Sequence, residues 1–222
     1  PEVMWQFSEA VEGISEACRA LDVPVVSGNV SFYNETGGEN IHPTPAVGMV
    51  GLLEDAARFC PAAFQREGDS VVLLGPSGGG AAKPGLGGSA YLWNVLGERR
   101  GPCPPVDLER EAGLHRLCRR AVSDGILSSC HDVSDGGLVV ALAESGLLAD
   151  PPLGASVEIA RDGRPDEVLF GEAQGWVVIS LPPDELPLLE TLAEEMGVAL
   201  DVLGRVTRES FTVEVSGGAG AA

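Results

Sequence analysis

Three short segments carry the residue types from which phosphate and metal sites are built. The first is Ser27-Gly28-Asn29-Val30-Ser31, continuing into Phe32-Tyr33-Asn34-Glu35. Gly28 has no Cβ, so its backbone can approach a phosphate closely. Asn29 offers an amide oxygen, a hard donor that suits Mg²⁺. Ser31 offers a hydroxyl that can hold a substrate phosphate or amide. The same residues also compose an ordinary Asn-stabilised turn, and spacing alone leaves both readings open.

The second segment runs from Gly75-Pro76-Ser77-Gly78-Gly79-Gly80 to Leu86-Gly87-Gly88-Ser89. It follows a strand pattern and precedes a helical one, so its N–H groups can cradle an anion at a helix start. Two nucleotide motifs fail on it. A dinucleotide fingerprint begun at Gly78 needs glycine at 83 and meets Lys83, and a P-loop begun at Gly75 needs lysine at 81 and meets Ala81. The alternative is a flexible connector with Ser89 as helix N-cap. The third segment, His131-Asp132-Val133-Ser134-Asp135-Gly136-Gly137-Leu138, reads as a strand–turn–helix passage dense in carboxylates. Asp132 can bind a metal, Ser134 or Asp135 can cap the helix, and Gly136-Gly137 can admit a phosphate to the helix dipole. His131 at a strand end is read as structural. Glu16, polar and near the apolar face of the first helix, either reaches a metal or is solvated.

The elements that must position these residues follow from periodicity. Apolar positions Val3, Phe7, Val11, Ile14, Cys18 and Leu21 recur every three or four residues and predict a helix over 3–21, stopped by Pro24. Short β-prone runs predict strands at 25–26 and 46–53, with a loop over 34–45 between them. After a junction at 61–68, strands are expected at 70–74, 128–130, 156–160 and 176–181. Helices are expected at 89–96, 108–123, 138–148 and 186–196. A closing hairpin-like pair is expected at 202–207 and 211–215. Alternation of the two kinds of element gives the class α/β or α+β, with helices laid on a sheet.

Composition narrows the function. Fourteen Lys and Arg stand against 33 Asp and Glu, a net charge of −19. A chain so acidic lacks the basic stripe of a nucleic-acid binder and is repelled by anionic membrane surfaces. Phosphate must then be held locally, by backbone amides, metal ions or a few placed cations. No apolar run reaches the ~18 residues of a membrane span. The five cysteines, Cys18, Cys60, Cys103, Cys118 and Cys130, form no C-x-x-C pair and read as reduced thiols of a cytoplasmic protein. A first residue of Pro, directly followed by a helical pattern, is expected of a piece of a longer polypeptide.

Taken together, the motifs resemble one family. Pro24 to Thr36, Pro43-Thr44-Pro45, Val47 to Asp55, Leu86 to Leu92, His131 to Leu138 and Leu169 to Gly175 occur in the order found in phosphoribosylformylglycinamidine synthase, in its small-type PurL form. That family lies within the aminoimidazole ribonucleotide synthetase-like group, and the blocks cover most of residues 1–215. The resemblance implies a PurM-like fold. Residues 1–55 would be the end of a PurM N-terminal-like domain, 56–68 a linker, 69–215 a PurM C-terminal-like α/β domain and 216–222 a disordered tail. It implies an ATP- and Mg²⁺-dependent ligase of purine biosynthesis. In that reaction ATP activates the amide oxygen of formylglycinamide ribonucleotide and ammonia displaces the phosphate. The implied partners are the N-terminal half of the same chain, a glutaminase subunit that supplies the ammonia and a small accessory subunit.

Carried over by position, Gly28 matches an ATP contact, Asn29 a magnesium ligand and Ser31 a contact to the ribonucleotide. Asp132 and Ser134 match metal and nucleotide contacts of an auxiliary site in the long form of the enzyme, and Glu16 a metal ligand of that site. No histidine here matches the family's catalytic one, so no catalytic residue is assigned and the piece alone is expected to be inactive. Two positions depart from the family pattern: Gly85 stands where an acid is usual before Leu86, and Trp176 where a base is usual after Gly175. The competing readings are a non-catalytic nucleotide-binding scaffold half of the same complex, or a sister enzyme such as thiamine-phosphate kinase. The sister enzymes lack the block from Ser27 to Glu35.

Overall fold

A computed structural model of the chain describes residues 2–31, 35–41, 43–75, 85–161 and 163–216. It divides into two compact units, Pro1–Glu54 and Asp55–Ala222.

The first unit opens with α1 (Glu2–Ala20). Glu2 in the first turn and Arg19 in the last complement the helix dipole. The helix ends before Pro24 is reached. Asp22 adopts a left-handed φ of 55°, and the Val23 N–H reaches back to the Cys18 carbonyl at 2.9 Å, a closure that satisfies otherwise orphaned carbonyls. Two short strands, β1 (Glu35–Thr36) and β2 (Glu39–Asn40), form an antiparallel hairpin inside the stretch expected as loop. Gly37 and Gly38, with φ of 64° and 84°, supply the two left-handed residues that a tight hairpin turn requires.

The strands expected at 25–26 and 46–53 do not form; both stretches are unpaired. A strand needs a neighbour for its N–H and C=O groups, and among the described residues of this unit none lies alongside. Their apolar side chains stay in solvent: Val26 is 92% exposed, Val50 102% and Leu52 91%.

The second unit is a six-stranded sheet with helices on both faces. Its strands are β3 (Ser70–Leu74), β4 (Ser129–Asp132), β5 (Gly154–Ala160), β6 (Val177–Leu181), β7 (Leu200–Thr207) and β8 (Phe211–Ser216). The spatial order is β4-β6-β3-β7-β5-β8, and every pairing is antiparallel except β5 with β8. Central β3 is apolar on both sides because both sides are covered. Val71 and Leu73 enter one core and Val72 and Leu74 the other. β5 alternates, with Ala155, Val157 and Ile159 inside and Ser156, Glu158 and Ala160 outside.

The helices are α2 (Ala90–Leu96), α3 (Leu108–Ser123), α4 (Gly137–Leu147), α5 (Pro165–Phe170) and α6 (Leu186–Glu195). Leu114, Leu117 and Ala121 of α3 join Leu189, Leu192 and Ala193 of α6 in one core. Leu138, Ala141 and Leu142 of α4 join Val168 of α5 in the other. Ser89 caps α2, its side chain accepting from the Leu92 N–H at 3.2 Å, and Asp107 caps α3.

Three features differ from the sequence reading. β7 and β8 do not form a hairpin; β5 lies between them and runs parallel to β8. Helix α5 was not expected, although Pro165 at its start and Asp166 and Glu167 in its first turn are start signals. Part of the expected linker is built into the second unit. Phe64 is 1% exposed in the core, its N–H bonds the Ser145 carbonyl at 2.8 Å, and the Cys130 N–H on edge strand β4 bonds the Pro61 carbonyl at 2.9 Å.

Candidate functional site

In the second unit, an open cleft of about 310 Å³ lies where β4 and β6 meet the N-terminal half of α3. One wall is Glu111 and His115 of α3; the other is the turn Asp132 to Asp135, with Glu172, Gln174 and Trp176 completing it. Asp132 and Ser134 are thus brought together. The Asp132 side chain is 76% exposed.

The turn is held by a group that sequence reasoning missed. Glu172 Oε1 accepts from two backbone amides, Gly136 N at 2.8 Å and Ala90 N at 2.7 Å. The first opens α4 and the second opens α2, so one carboxylate satisfies orphan donors of two helices. Neither Ser134 nor Asp135 caps α4; its N-cap Gly136 makes no side-chain cap hydrogen bond. The phosphate position anticipated at Gly136-Gly137 is likewise taken, because an internal carboxylate occupies it. Glycine is required there for packing. Gly137 has φ of 76°, and a Cβ on it would stand 2.7 Å from the Phe170 carbonyl carbon. Next to this junction Tyr91 stacks on Phe170, with ring centres 4.7 Å apart.

His131, read from the sequence as structural, is held by contacts within the fold. Its Nδ1–H donates to the Asp132 carbonyl at 2.7 Å and its Nε2 faces the Glu144 carboxylate at 3.2 Å. Burial raises the Glu111 carboxyl above its ordinary value, and nearby His115, 3.8 Å away, partly offsets this. The buried Trp176 ring lies beside the start of the glycine-rich segment. A Cβ on Gly75 would stand 2.2 Å from the Gly175 carbonyl oxygen and 2.8 Å from the indole. Residues 76–84 of that segment lie outside the described residues.

Glu16, Gly28, Asn29 and Ser31 belong to the first unit, and all four are exposed. Gly28, Asn29 and Ser31 share one stretch that is neither helix nor strand, and Phe32, Tyr33 and Asn34 of the same block lie outside the described residues. Among the described residues no three His, Cys, Asp or Glu side chains gather to hold a metal ion. Asn29 and Asp132 each offer an exposed oxygen. That fits Mg²⁺ arriving with phosphates and waters, which needs only one or two protein oxygens, and does not fit an all-protein cage.

Two family models match in sequence order. AIR synthase related protein, N-terminal domain, matches residues 1–53, and AIR synthase related protein, C-terminal domain, matches residues 66–216. The chain belongs to the AIR synthase related family. Among curated relatives, phosphoribosylformylglycinamidine synthase subunit PurL of Moorella thermoacetica is 46% identical over 217 residues, covering 98% of this chain and 29% of the relative. PurL of an Anaeromyxobacter species (strain Fw109-5) is 45% identical over 222 residues, covering 96% and 28%. The chain therefore spans under a third of the length of these relatives. Among solved structures, PurL of Thermotoga maritima complexed with FGAR superposes with a TM-score of 0.58 at 20% identity, covering 72% of this chain and 27% of that one. The same protein complexed with ATP gives 0.55 at 22%, covering 72% and 25%. These likenesses show a shared PurM-like mixed α/β fold.

Proposed function

We propose that this chain is part of an ATP-dependent PurL synthetase. The reaction converts formylglycinamide ribonucleotide and ammonia to formylglycinamidine ribonucleotide, ADP and phosphate in purine biosynthesis. The observation that carries the reading is identity of 46% sustained across 98% of the chain with a PurL subunit. Likeness of that depth over both family domains extends beyond shared fold.

The chain's own residues would bind and orient. At Gly28 the absent side chain leaves backbone N–H groups open to ATP phosphate. Asn29 would give one amide oxygen to Mg²⁺, which neutralises phosphate charge when bound. The Ser31 hydroxyl would hold the ribonucleotide. Asp132 and Ser134 would take metal and nucleotide at an auxiliary site, and Glu16, on the first unit, would be a metal ligand. The rest of a longer PurL chain would supply the catalytic histidine, and a glutaminase subunit with a small accessory subunit would deliver ammonia. We place the domain boundaries at 55 and 69, with 61–64 serving as an anchor on the second domain.

The test is Asn29→Ala in the full-length enzyme. Amidine formation should fall by roughly tenfold to a hundredfold, the usual cost of weakening a metal site, with the circular dichroism spectrum unchanged. Wild-type turnover in this variant would remove Asn29 from the site.

A further inference from the structure

The segment from Glu172 to Trp176 touches three places at once. Gly175 and Trp176 abut Gly75, where the glycine-rich segment begins. Glu172 Oε1 grips Ala90 N, just beyond that segment's exit. The same oxygen grips Gly136 N, at the end of the turn that carries Asp132 and Ser134. Both distances, 2.7 and 2.8 Å, are those of charge-assisted hydrogen bonds. Tyr91 on Phe170 locks the start of α2 onto the end of α5, immediately before Glu172. Gly137, left-handed and without a Cβ, lets the chain at 170–171 come close enough for this grip, while the left-handed Gly136 beside it packs against Val140.

We propose that Glu172 is a positioning residue: its carboxylate ties the exit of the glycine-rich segment to the Asp132–Gly136 turn, so that a ligand held on the turn is felt at the start of α2. A single oxygen shared by two amides cannot follow one of them without straining its bond to the other. The coupling is therefore mechanical and local. It rests on the reading above only for the identity of the ligand, a magnesium nucleotide at Asp132 and Ser134.

Hydrogen exchange on the full-length chain tests both parts. Without ligand, Glu172→Ala should speed exchange about tenfold in peptides spanning 86–92 and 133–138 together, while β3 and β6 keep their protection. Glu172→Gln retains an acceptor oxygen and should stay within about threefold of wild type. If only one segment responds, if neither does, or if the Gln variant matches the Ala variant, the proposal is overturned. Should Glu172→Ala loosen the whole sheet, Ala90→Pro decides. Proline is tolerated at the first helical position and the preceding Ser89 is extended, with φ −69° and ψ 155°, so this change removes one N–H donor and leaves the helix.

With Mg-ADP added, the wild type should gain protection in both segments. Ala90→Pro should gain it only at 133–138. Protection of 133–138 alone in the wild type overturns the coupling. Protection of neither segment overturns the nucleotide reading of the cleft, and the ligand-free comparison then decides Glu172 by itself.

Discussion

The Arg161 guanidinium lies over the indole of Trp176, 4.5 Å from the ring centre, while its Nη2 donates to the Asp201 carboxylate at 2.7 Å. Trp176 stands where the family resemblance leads one to expect a base, and here a positive charge is laid across its ring from the end of β5. The arrangement buries the Arg161 stem, leaves 12% of its side chain exposed and pairs its head with Asp201 on β7. Replacing Arg161 by Met keeps most of the stem and strands Asp201. Loss of the cation–π contact and the partly buried ion pair should destabilise the second unit by about 1–3 kcal/mol. Urea unfolding followed by tryptophan emission reads this as a lower midpoint. An unchanged midpoint would mean that the stack carries no energetic weight.

Gly137→Ala addresses the junction from the backbone side. Its φ of 76° penalises any Cβ, and the new methyl would meet Phe170 and Gly171 backbone atoms at 2.7 to 2.8 Å. Backbone cannot swing aside as a side-chain tip can. The expected cost is about 2–4 kcal/mol, from left-handed strain plus overpacking. Gly68→Ala is the control: its φ of 88° is also left-handed, but nothing lies within 4 Å of its Cβ, so it should cost only about 1 kcal/mol. Thermal melts that ranked Gly68→Ala as the more damaging change would contradict the packing account.

How far the sequence could be read depended on where each element found its partners. Helix α3 was legible because its spacing of apolar residues states which face is buried; α1 was legible from the same spacing although none of its residues is buried, and β3 as a short apolar run covered on both sides. Ser89 was legible as a cap because the signal is local. The pairing of β8 with β5 was not: Val213 and Val215 alternate as any half-buried strand does, and nothing in that pattern says which strand lies alongside. The strand-like runs at 25–26 and 46–53 show the converse, since β propensity without a neighbour leaves Val26 and Val50 in solvent. For the site, the turn from Asp132 to Asp135 declared itself by its density of oxygens. Glu172 did not, because its partners at positions 90 and 136 are distant backbone amides, which any residue supplies. The block Leu169 to Gly175 was noticed only as a family signature, and the one available hint was the lack of an acid in the first turn of α4 or α2 to satisfy their open N–H groups.

The cysteines should separate sharply toward a thiol reagent. Cys103 is exposed. Burial, with Cys130 nearby, pushes the Cys60 thiol up to about 12. A hydrogen bond donated by the Cys118 thiol to Cys130, together with burial, raises Cys118, and the same bond lowers Cys130. Since only thiolate reacts, native protein treated with iodoacetamide at pH 8 should be labelled first at Cys103, with Cys60 and Cys118 unlabelled until denaturant is added. Mass mapping of the peptides checks the order. Early labelling of Cys60 would show that its surroundings open readily in solution.

Glu111 makes stability depend on pH in a direction opposite to that of a salt-bridged acid. Burial in the cleft wall raises its carboxyl above the ordinary 4.5, and Asp107 adds to the rise while His115 opposes it. The folded state therefore holds the proton more tightly than the unfolded chain. The favourable contribution is complete below pH 4.5 and is lost as pH climbs through the raised folded value. Glu111→Gln cannot ionise, so its stability relative to wild type should increase as pH climbs from 4.5 through that raised value, then level off. Gly175, whose absent Cβ would lie 2.6 Å from Glu111 Oε1, makes the pocket that fits either side chain, so the substitution tests charge and not volume. Paired urea titrations of the two proteins between pH 4 and 7 measure the difference. A constant difference across that range, or one that shifts in favour of wild type with rising pH, would contradict a raised carboxyl and would place Glu111 in solvent.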